Sequence, residues 1–380
     1  MVFLTLFLVL CGDLVENELQ PKQAKSIEII HEFTLGDGSK EDLFFSEAVT
    51  TVATDTHIFA LDPANFRVII FDVQGQMLKE FGKQGQGPGE FQGAIAMAMD
   101  TQGNLAIFDT LQKRLSFFDM DGNHLRDTKL DSGIQHISTP YFLPNGQAVF
   151  MSVRTDAQFQ MTYDLSVYDS EMSVVKQLQS QPLPPSDWSQ AGEPSFWVDF
   201  LKNQFEAITA GFPLTATLGQ TGLYAAGTSS AYHVDIYSHS SEKVIRFNKK
   251  FQPKGFSQDA QYQYCESVWE DLTANAFLAP NLPRPVFEKA QSQANLPDFL
   301  PPVFAMVNLG NGLAVFTNYD VVGQKGTVDY FDSNGVCKAT GAYSGPLKSV
   351  FGHKDKIYSV GLNEEDTIVI KAYRAKGLPL

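Results

Sequence analysis

The feature that most constrains the fold of this chain is an internal repeat. When the sequence is shifted by 47 residues, residues 57–78 align with residues 104–125 without a gap. Six aligned positions are identical: Asp62/Asp109, Arg67/Arg114, Phe71/Phe118, Asp72/Asp119, Gly75/Gly122 and Leu78/Leu125. The apolar runs in both copies are four or five residues long and are separated by glycine-containing turns, a pattern typical of strands. The repeat therefore predicts units of short antiparallel strands.

Weaker copies of this unit extend along the rest of the chain, at about residues 146–171, 222–247, 312–335 and 356–373. The last copy lacks its final strand, whereas residues 27–33 resemble the final strand of the first unit and have no unit of their own. Six units of four strands predict an all-β fold, a six-bladed β-propeller closed by the N-terminal strand. We expect it to form one domain over residues 26–380.

One pair of segments resembles a known repeat family. The glycine-rich loop at residues 82–91 is followed at residues 100–122 by Asp-x-x-Gly-Asn, a strand, Asp-x4-Arg, a second strand and a Phe-Asp-x-x-Gly turn. This order closely resembles the NHL repeat over about residues 50–127. The whole chain resembles the six-bladed propeller proteins found among exported bacterial lipoproteins, which share an architecture rather than one reaction.

The first residues of the chain look like a targeting segment. An apolar run at residues 2–10 ends at Cys11 and is followed by polar residues. The run is too short to cross a bilayer and has the length of the apolar region of a signal peptide. It resembles a lipoprotein signal (residues 1–11), which implies lipidation at Cys11, a polar tether over residues 12–25 and a location in the bacterial cell envelope. The alternative is a short buried strand that ends at an unmodified cysteine.

The composition excludes several kinds of protein. The chain has 28 Lys and Arg against 43 Asp and Glu, a formal net charge of −15, which argues against a nucleic-acid surface and against electrostatic adhesion to anionic lipid. Besides Cys11 there are only Cys265 and Cys337, which we expect to be buried thiols, a disulfide being the alternative. No Cys-x-x-Cys or His-Glu-x-x-His motif predicts a zinc site.

Three local motifs have both a functional and a structural interpretation. The glycines at residues 82–89 could cradle a phosphate, but a strand rather than a helix follows them, so we favour a connection between blades. The sequence Asp119-x-Asp121-Gly122 lacks the further ligands of a calcium loop and predicts a two-residue hairpin turn. The recurrent Asp62/Arg67 and Asp109/Arg114 pairs predict structural contacts rather than contacts with a ligand.

Two insertions interrupt the repeat, at about residues 182–213 and 258–302. Residues 262–277 and 285–293 are predicted to be helical. All tryptophans of the chain lie in these insertions: Trp188, Trp197 and Trp269. One interpretation makes them a candidate ligand-binding rim at the mouth of the channel; the other makes them a small separate core that holds the insertions on the blades.

These observations predict an envelope-anchored module that binds a small molecule, a glycan, a peptide or an envelope protein, and that touches the membrane only through its N-terminal lipid. We expect no catalytic motif and no cofactor. The rival hypothesis is a metal-dependent hydrolase or lyase, similar to propeller lactonases, with Ca or Zn in the central channel. The sequence assigns neither catalytic residues nor metal ligands to that alternative.

Overall fold

The strands form six small antiparallel sheets that follow one another along the chain. This architecture is seen in a computed structural model that describes residues 13–22, 24–38, 43–45, 49–156, 161–182, 188–210, 213–218, 223–238, 240, 242–273, 278–321 and 323–378. Cys11 lies outside the described residues, as does the rest of the signal-like segment. The sheets are the six predicted blades.

The elements of the first half are as follows. The N-terminal segment forms β1 (Asp13–Asn17), β2 (Lys25–Ser26) and β3 (Glu28–Leu35). Blade 1 contains β4 (Thr50–Ala53), β5 (His57–Asp62), β6 (Arg67–Asp72) and β7 (Met77–Phe81). Blade 2 contains β8 (Ala94–Met99), β9 (Leu105–Asp109), β10 (Arg114–Phe118) and β11 (His124–Lys129). Blade 3 contains β12 (Ile134–Ile137), β13 (Tyr141–Phe142), β14 (Ala148–Thr155), β15 (Met161–Tyr168) and β16 (Val174–Pro182).

The second half contains three blades and the helices. Helix α1 (Pro194–Ala210) precedes blade 4, which contains β17 (Pro213–Leu218), β18 (Leu223–Thr228), β19 (Ala231–Tyr237) and β20 (Lys243–Lys249). Helices α2 (Gln258–Thr273) and α3 (Arg284–Gln293) precede blade 5, with β21 (Val303–Leu309), β22 (Gly312–Asp320), β23 (Lys325–Phe331) and β24 (Cys337–Ser344). Blade 6 contains β25 (Ser349–His353), β26 (Lys356–Leu362) and β27 (Ile368–Lys376).

Strand β3 completes blade 6, as the repeat predicts. It pairs antiparallel with β27, from Leu35 opposite Ile370 to Glu28 opposite Lys376. Apolar clusters between consecutive blades complete the ring, and the cluster between blades 6 and 1 joins Tyr358 and Ile370 to Ile58 and Phe71. Since each blade buries both faces against its neighbours, the fold is a closed six-bladed β-propeller.

The two ends of the ring differ in the connections they carry. Because neighbouring strands are antiparallel, the turn from the first to the second strand of every blade lies at the same end, which we call the lower end. The chain passes from one blade to the next at the opposite, upper end. Both insertions are such blade-to-blade connections, so they join the ring at the upper end.

The segment expected to be a free tether is instead paired with the ring. Strand β1 lies parallel to β20 on the outer edge of blade 4, and β2 lies parallel to β24 on the outer edge of blade 5. The physical reason lies in Asn17, which is 5% exposed. Its amide donates to the carbonyls of Asn248 and Gly335, and its oxygen accepts from the backbone N–H of Cys337. These bonds fasten the segment across the junction of blades 4 and 5.

The hairpin turn at Asp121 and Gly122 differs from its prediction. A type I′ turn needs positive φ at both residues, but among them only Gly122 has it, at 78°. Gly122 donates its N–H to the carbonyl of Asp119, while the Asp119 carboxylate accepts the N–H groups of Asp121 and Asn123. The aspartate therefore stabilises a longer connection, residues 119–123, instead of the two-residue turn.

The described parts of the insertions form a separate helical core, called here the helical insert (residues 188–210, 258–273 and 278–296). Helices α2 and α3 agree with the predicted helical segments, whereas α1 was not predicted. Its buried side chains recur at helical spacing at Val198, Leu201, Phe205 and Ile208. The first three pack with side chains of α2 and α3, including Cys265, Phe287 and Ala290, whereas Ile208 packs with Phe256 and Leu300. No helix among the described residues is long and apolar enough to span a membrane.

Candidate functional site

The candidate site is a cavity of about 720 Å³ at the lower end of the central channel. Its walls come from blades 2 to 6, since each of these blades contributes residues at the lower end of its first strand or in the turn that follows. The lining residues are Ala98, Met99, Asp100, Thr101, Gly103, Thr139, Pro140, Tyr141, Phe142, Leu143, Pro144, Thr217, Leu223, Val307, Asn308, Val350, Phe351, Gly352 and His353. Most of these side chains are apolar.

Asp100 is held rigidly on the blade 2 side of the cavity. One of its carboxylate oxygens accepts the backbone N–H groups of Gln102 and Asn104, each at 2.8 Å. The other accepts the side-chain amide of Asn104 at 3.0 Å. These bonds form an Asx turn that closes the β8–β9 hairpin. The carboxylate therefore shapes the cavity wall while most of its acceptor capacity is used within the turn.

A polar cluster stands at the blade 6 side of the mouth. The Nε2 atom of His353 lies 2.8 Å from the Asp55 carboxylate, which also accepts the Lys354 ammonium at 2.7 Å. Hydrogen bonds from Lys354 and His353 hold the pKa of Asp55 below its usual range. Because Asp55 belongs to blade 1, the cluster joins the two blades between which the ring closes. Of these three residues, His353 lines the cavity.

Tyr141 narrows the cavity between blades 3 and 4. Its hydroxyl donates to the carbonyl of Thr215 on the first strand of blade 4, at 2.9 Å. Burial raises the pKa of Tyr141 to about 12, so the phenol is neutral throughout the physiological pH range. The ring presents an apolar face to the cavity, and its single polar atom already has a partner.

Few ionisable side chains line the cavity. Among the described residues, no group of three or more His, Cys, Asp or Glu side chains is close enough to hold a metal ion. The ionisable lining residues, Asp100 and His353, hydrogen-bond to their own turn and to Asp55, respectively. A concave, mainly apolar wall with a few fixed polar groups is the usual form of a small-molecule site.

The tryptophans lie away from this cavity, in the helical insert at the upper end. Trp197 is 6% exposed, and its indole N–H donates to the carbonyl of Ala191. Trp269 packs on Phe287 and Arg284, and its indole N–H donates to the carbonyl of Leu282. The side chain of Trp188 is not among those described. The contacts of Trp197 and Trp269 therefore lie within the insert's own core.

The glycine-rich loop uses its own polar groups internally. The Glu90 carboxylate accepts the N–H of Gly87 and pairs with Lys83, and these contacts hold the pKa of Glu90 below its usual range. An added Cβ at Gly85 would lie 2.1 Å from a Glu90 carboxylate oxygen. A carboxylate thus occupies the place that an anion would need. The loop is a connection between blades, as the sequence indicates.

The two repeated Asp/Arg pairs have diverged. In blade 1, Arg67 contacts the buried carboxylate of Asp62 at 3.1 Å. In blade 2, Asp109 instead accepts the backbone N–H groups of Gln92, Gly93 and Gln112. Arg114 there donates to the loop carbonyls of Gly87 and Glu90. Both aspartates therefore have the structural role predicted for them, but only the first forms the ion pair.

Sequence reasoning missed the cavity-lining residues. Asp100 belongs to the Asp-x-x-Gly-Asn motif of the repeat, whereas His353 belongs to none of the motifs described above. The available clue was positional: in a propeller, the turn after each first strand borders the channel. Applying this rule to every unit would have selected Asp100 and His353 together, although not their distances.

The cysteines agree with the favoured prediction. Cys265 and Cys337 are both buried and unpaired, the first in the helical insert and the second between blades 4 and 5. Burial raises the pKa of the Cys265 thiol to about 12 and that of Cys337 to about 11. Neither thiol is a candidate nucleophile.

Comparisons with known proteins bear on the fold. Residues 39–182 match the DUF5128 family model, described as a 6-bladed beta-propeller. No curated protein matches the chain. Among solved structures, a Bacteroides fragilis protein that has been proposed to be exported is 14% identical, with a TM-score of 0.53, covering 96% of this chain and 99% of its own. A DUF4221 family member from Bacteroides vulgatus is 11% identical, with a TM-score of 0.51 and coverages of 93% and 99%.

A third solved structure, the virginiamycin B lyase of Staphylococcus aureus, is 9% identical with a TM-score of 0.42, covering 91% of this chain and 99% of its own. That score is too low to carry a functional comparison. The family match spans blades 1 to 3, and the two Bacteroides structures span nearly the whole ring. The chain is therefore a six-bladed β-propeller, and the two Bacteroides structures are similar to it in architecture.

Proposed function

We propose that the protein is a binding module that takes a small, mainly apolar ligand into the cavity at the lower end of its channel. The observation that carries the proposal is the cavity itself, which five blades build from mainly apolar side chains. A ligand there would bury its apolar surface against Met99, Phe142 and Leu223. A polar end group would reach the mouth beside His353.

Envelope anchoring is part of the same proposal. The apolar run that ends at Cys11 supports lipidation, and a protein of the same fold has been proposed to be exported. A lipid on Cys11 would hold the module at a membrane while the channel stays in the aqueous envelope. Cys11→Ser in a bacterial host should move the protein from the membrane fraction to the soluble fraction. Unchanged fractionation would refute anchoring through a lipid on Cys11.

The binding claim is tested with a neutral apolar dye, N-phenyl-1-naphthylamine, whose fluorescence increases when it leaves water. We expect saturable binding of one dye per chain. Thr217→Phe, on the first strand of blade 4, should weaken binding at least tenfold because the ring occupies cavity volume. The matched control is Thr128→Phe on β11, the outer strand of blade 2. Equal dye affinity in both variants, with unchanged unfolding temperatures, would exclude the cavity as the site.

A further inference from the structure

The N-terminal segment is attached to the circumference of the ring rather than to either end of the channel. Strand β1 is a fifth strand on blade 4, outside β20, and five consecutive residues pair from Asp13 opposite Ile245 to Asn17 opposite Lys249. Neighbouring strands twist by about 20–25°, so four steps outward from β17 turn the direction by roughly 80–100°. Strand β1 thus runs nearly along the circumference.

Cys11 is only two residues before Asp13. Two extended residues span at most about 7 Å, so anything attached to Cys11 must stay close to the start of β1. Several contacts keep β1 in place: Asn17 bonds across blades 4 and 5, Asn248 donates to Glu16, and Lys250 pairs with Glu18. The start of β1, which Cys11 precedes by two residues, is therefore fixed on blade 4.

The surface next to this point contains exposed apolar side chains. Leu14 is 59% exposed and lies opposite Arg246 in the parallel pair, and Val244, in a bulge of β20 two residues before Arg246, is 37% exposed. On the adjacent blade, Val174 and Val175 are exposed at the start of β16. The edge of blades 3 and 4 thus offers apolar contacts that an interface with lipid would cover.

We propose that the protein sits edge-on at the membrane, with the outer edge of blade 4 against the bilayer and both ends of the channel open to the aqueous phase. The inference rests on the lipidation of Cys11 proposed above and adds the surface that the lipid brings to the membrane. The lower-end cavity and the helical insert then remain accessible at the same time. Blade 1, diametrically opposite in a six-bladed ring, points away from the membrane.

The repeat supplies matched positions for the test. Leu78, Leu125, Val175 and Val244 each lie six residues after the first residue of the preceding turn, in blades 1, 2, 3 and 4, respectively, and all are exposed. Each would be replaced by cysteine in the lipidated full-length chain and labelled with a bimane fluorophore. The native Cys265 and Cys337 are buried and should not react.

The labelled proteins are bound to vesicles of phosphatidylethanolamine and phosphatidylglycerol (3:1) that contain a headgroup nitroxide quencher. Edge-on attachment predicts strong quenching at Val244→Cys, less at Val175→Cys, and at least fivefold less at Leu78→Cys than at Val244→Cys. Equal quenching at all four positions, or the strongest quenching at Leu78→Cys, would overturn the proposal. So would weak quenching everywhere, since that result means a detached, flexible N-terminus.

Two controls separate this inference from the function it rests on. Cys11→Ser tests lipidation without reference to orientation, and loss of membrane association in that variant is required for the edge-on proposal. Dye binding in the cavity uses the protein without vesicles, so its failure would leave the quenching pattern unaffected. If the quenching pattern is graded in a protein that binds no dye, the ligand-binding proposal is therefore refuted and the edge-on proposal is supported.

Discussion

Blades 1–3 and blades 4–6 have the same strand order but are fastened differently. In the first half, the buried aspartates of blades 1 and 2 have local partners: Asp62 contacts Arg67 five residues away, and Asp109 accepts N–H groups from its own turn and the loop before it. In the second half, contacts join residues far apart in sequence, such as Asn17 with Gly335 and Tyr232 with Asp329. The regular repeats of blades 1 and 2 are held by local bonds. The less regular blades 4 and 5 depend instead on contacts with the N-terminal segment and on a buried ion pair.

The largest effect is expected at the junction of blades 4 and 5. The Lys249 ammonium contacts the Asp329 carboxylate at 2.6 Å, both side chains are buried, and Tyr232 donates to the same carboxylate. Burial raises the pKa of Tyr232 well above its usual value, which keeps the phenol a donor. Asp329→Ala leaves Lys249 buried without its partner, and should lower the free energy of unfolding by about 3–5 kcal/mol in urea denaturation.

The matched control in the first half is Asp62→Ala. Its partner Arg67 is partly exposed and also contacts Glu80, so its charge stays satisfied. We expect a smaller loss, about 1–3 kcal/mol. The double change Lys249→Met with Asp329→Leu should recover most of the stability lost in Asp329→Ala. Equal losses in the two single variants would remove the contrast between the halves.

A smaller effect is expected at the N-terminal fastening. Asn17→Ala removes three hydrogen bonds and leaves the buried N–H of Cys337 without its partner, which should cost about 1–3 kcal/mol. The neighbouring Glu18→Ala, which breaks only an exposed pair with Lys250, should cause no measurable change. If hydrogen exchange at β1 is as slow in Asn17→Ala as in the parent chain, Asn17 is not what holds the segment.

The smallest effect concerns pH and the inner strand of blade 3. The surrounding protein desolvates His136 on β12 and lowers its pKa below the usual 6.5. Its imidazole is nevertheless partly exposed to water. The fold therefore favours the neutral imidazole, and its contribution to stability is present above pH 6.5 and is lost as the pH falls through the lowered pKa. His136→Gln should flatten this part of the stability profile. If the variant loses stability in acid as the parent chain does, a group other than His136 causes that pH dependence.

The sequence predicted those features that each blade encodes locally. Residues 27–33 carried the outer-strand pattern, and their pairing with β27 is confirmed. The pairing of β1 was not predictable, because an edge strand that joins an existing sheet needs only backbone bonds and its sequence, Asp-Leu-Val-Glu-Asn, is unremarkable. The cavity was not predictable for another reason: Asp100 and His353 come to line the same cavity only through ring closure, which spacing along the chain does not reveal.

The closing strand also determines when the fold can form. Glu32 in β3 contacts Arg374 in β27, a separation of 342 residues, so the N-terminal strand must wait for almost the whole chain. Contacts this distant in sequence slow folding, because a long loop must close before they form. During synthesis, β3 therefore has no partner in blade 6 until β27 has been made. Until then Ile27, just before β3 and buried in the finished ring, is exposed to water. Ring closure is thus a late event, and the chain stays unclosed until its last strand has been made.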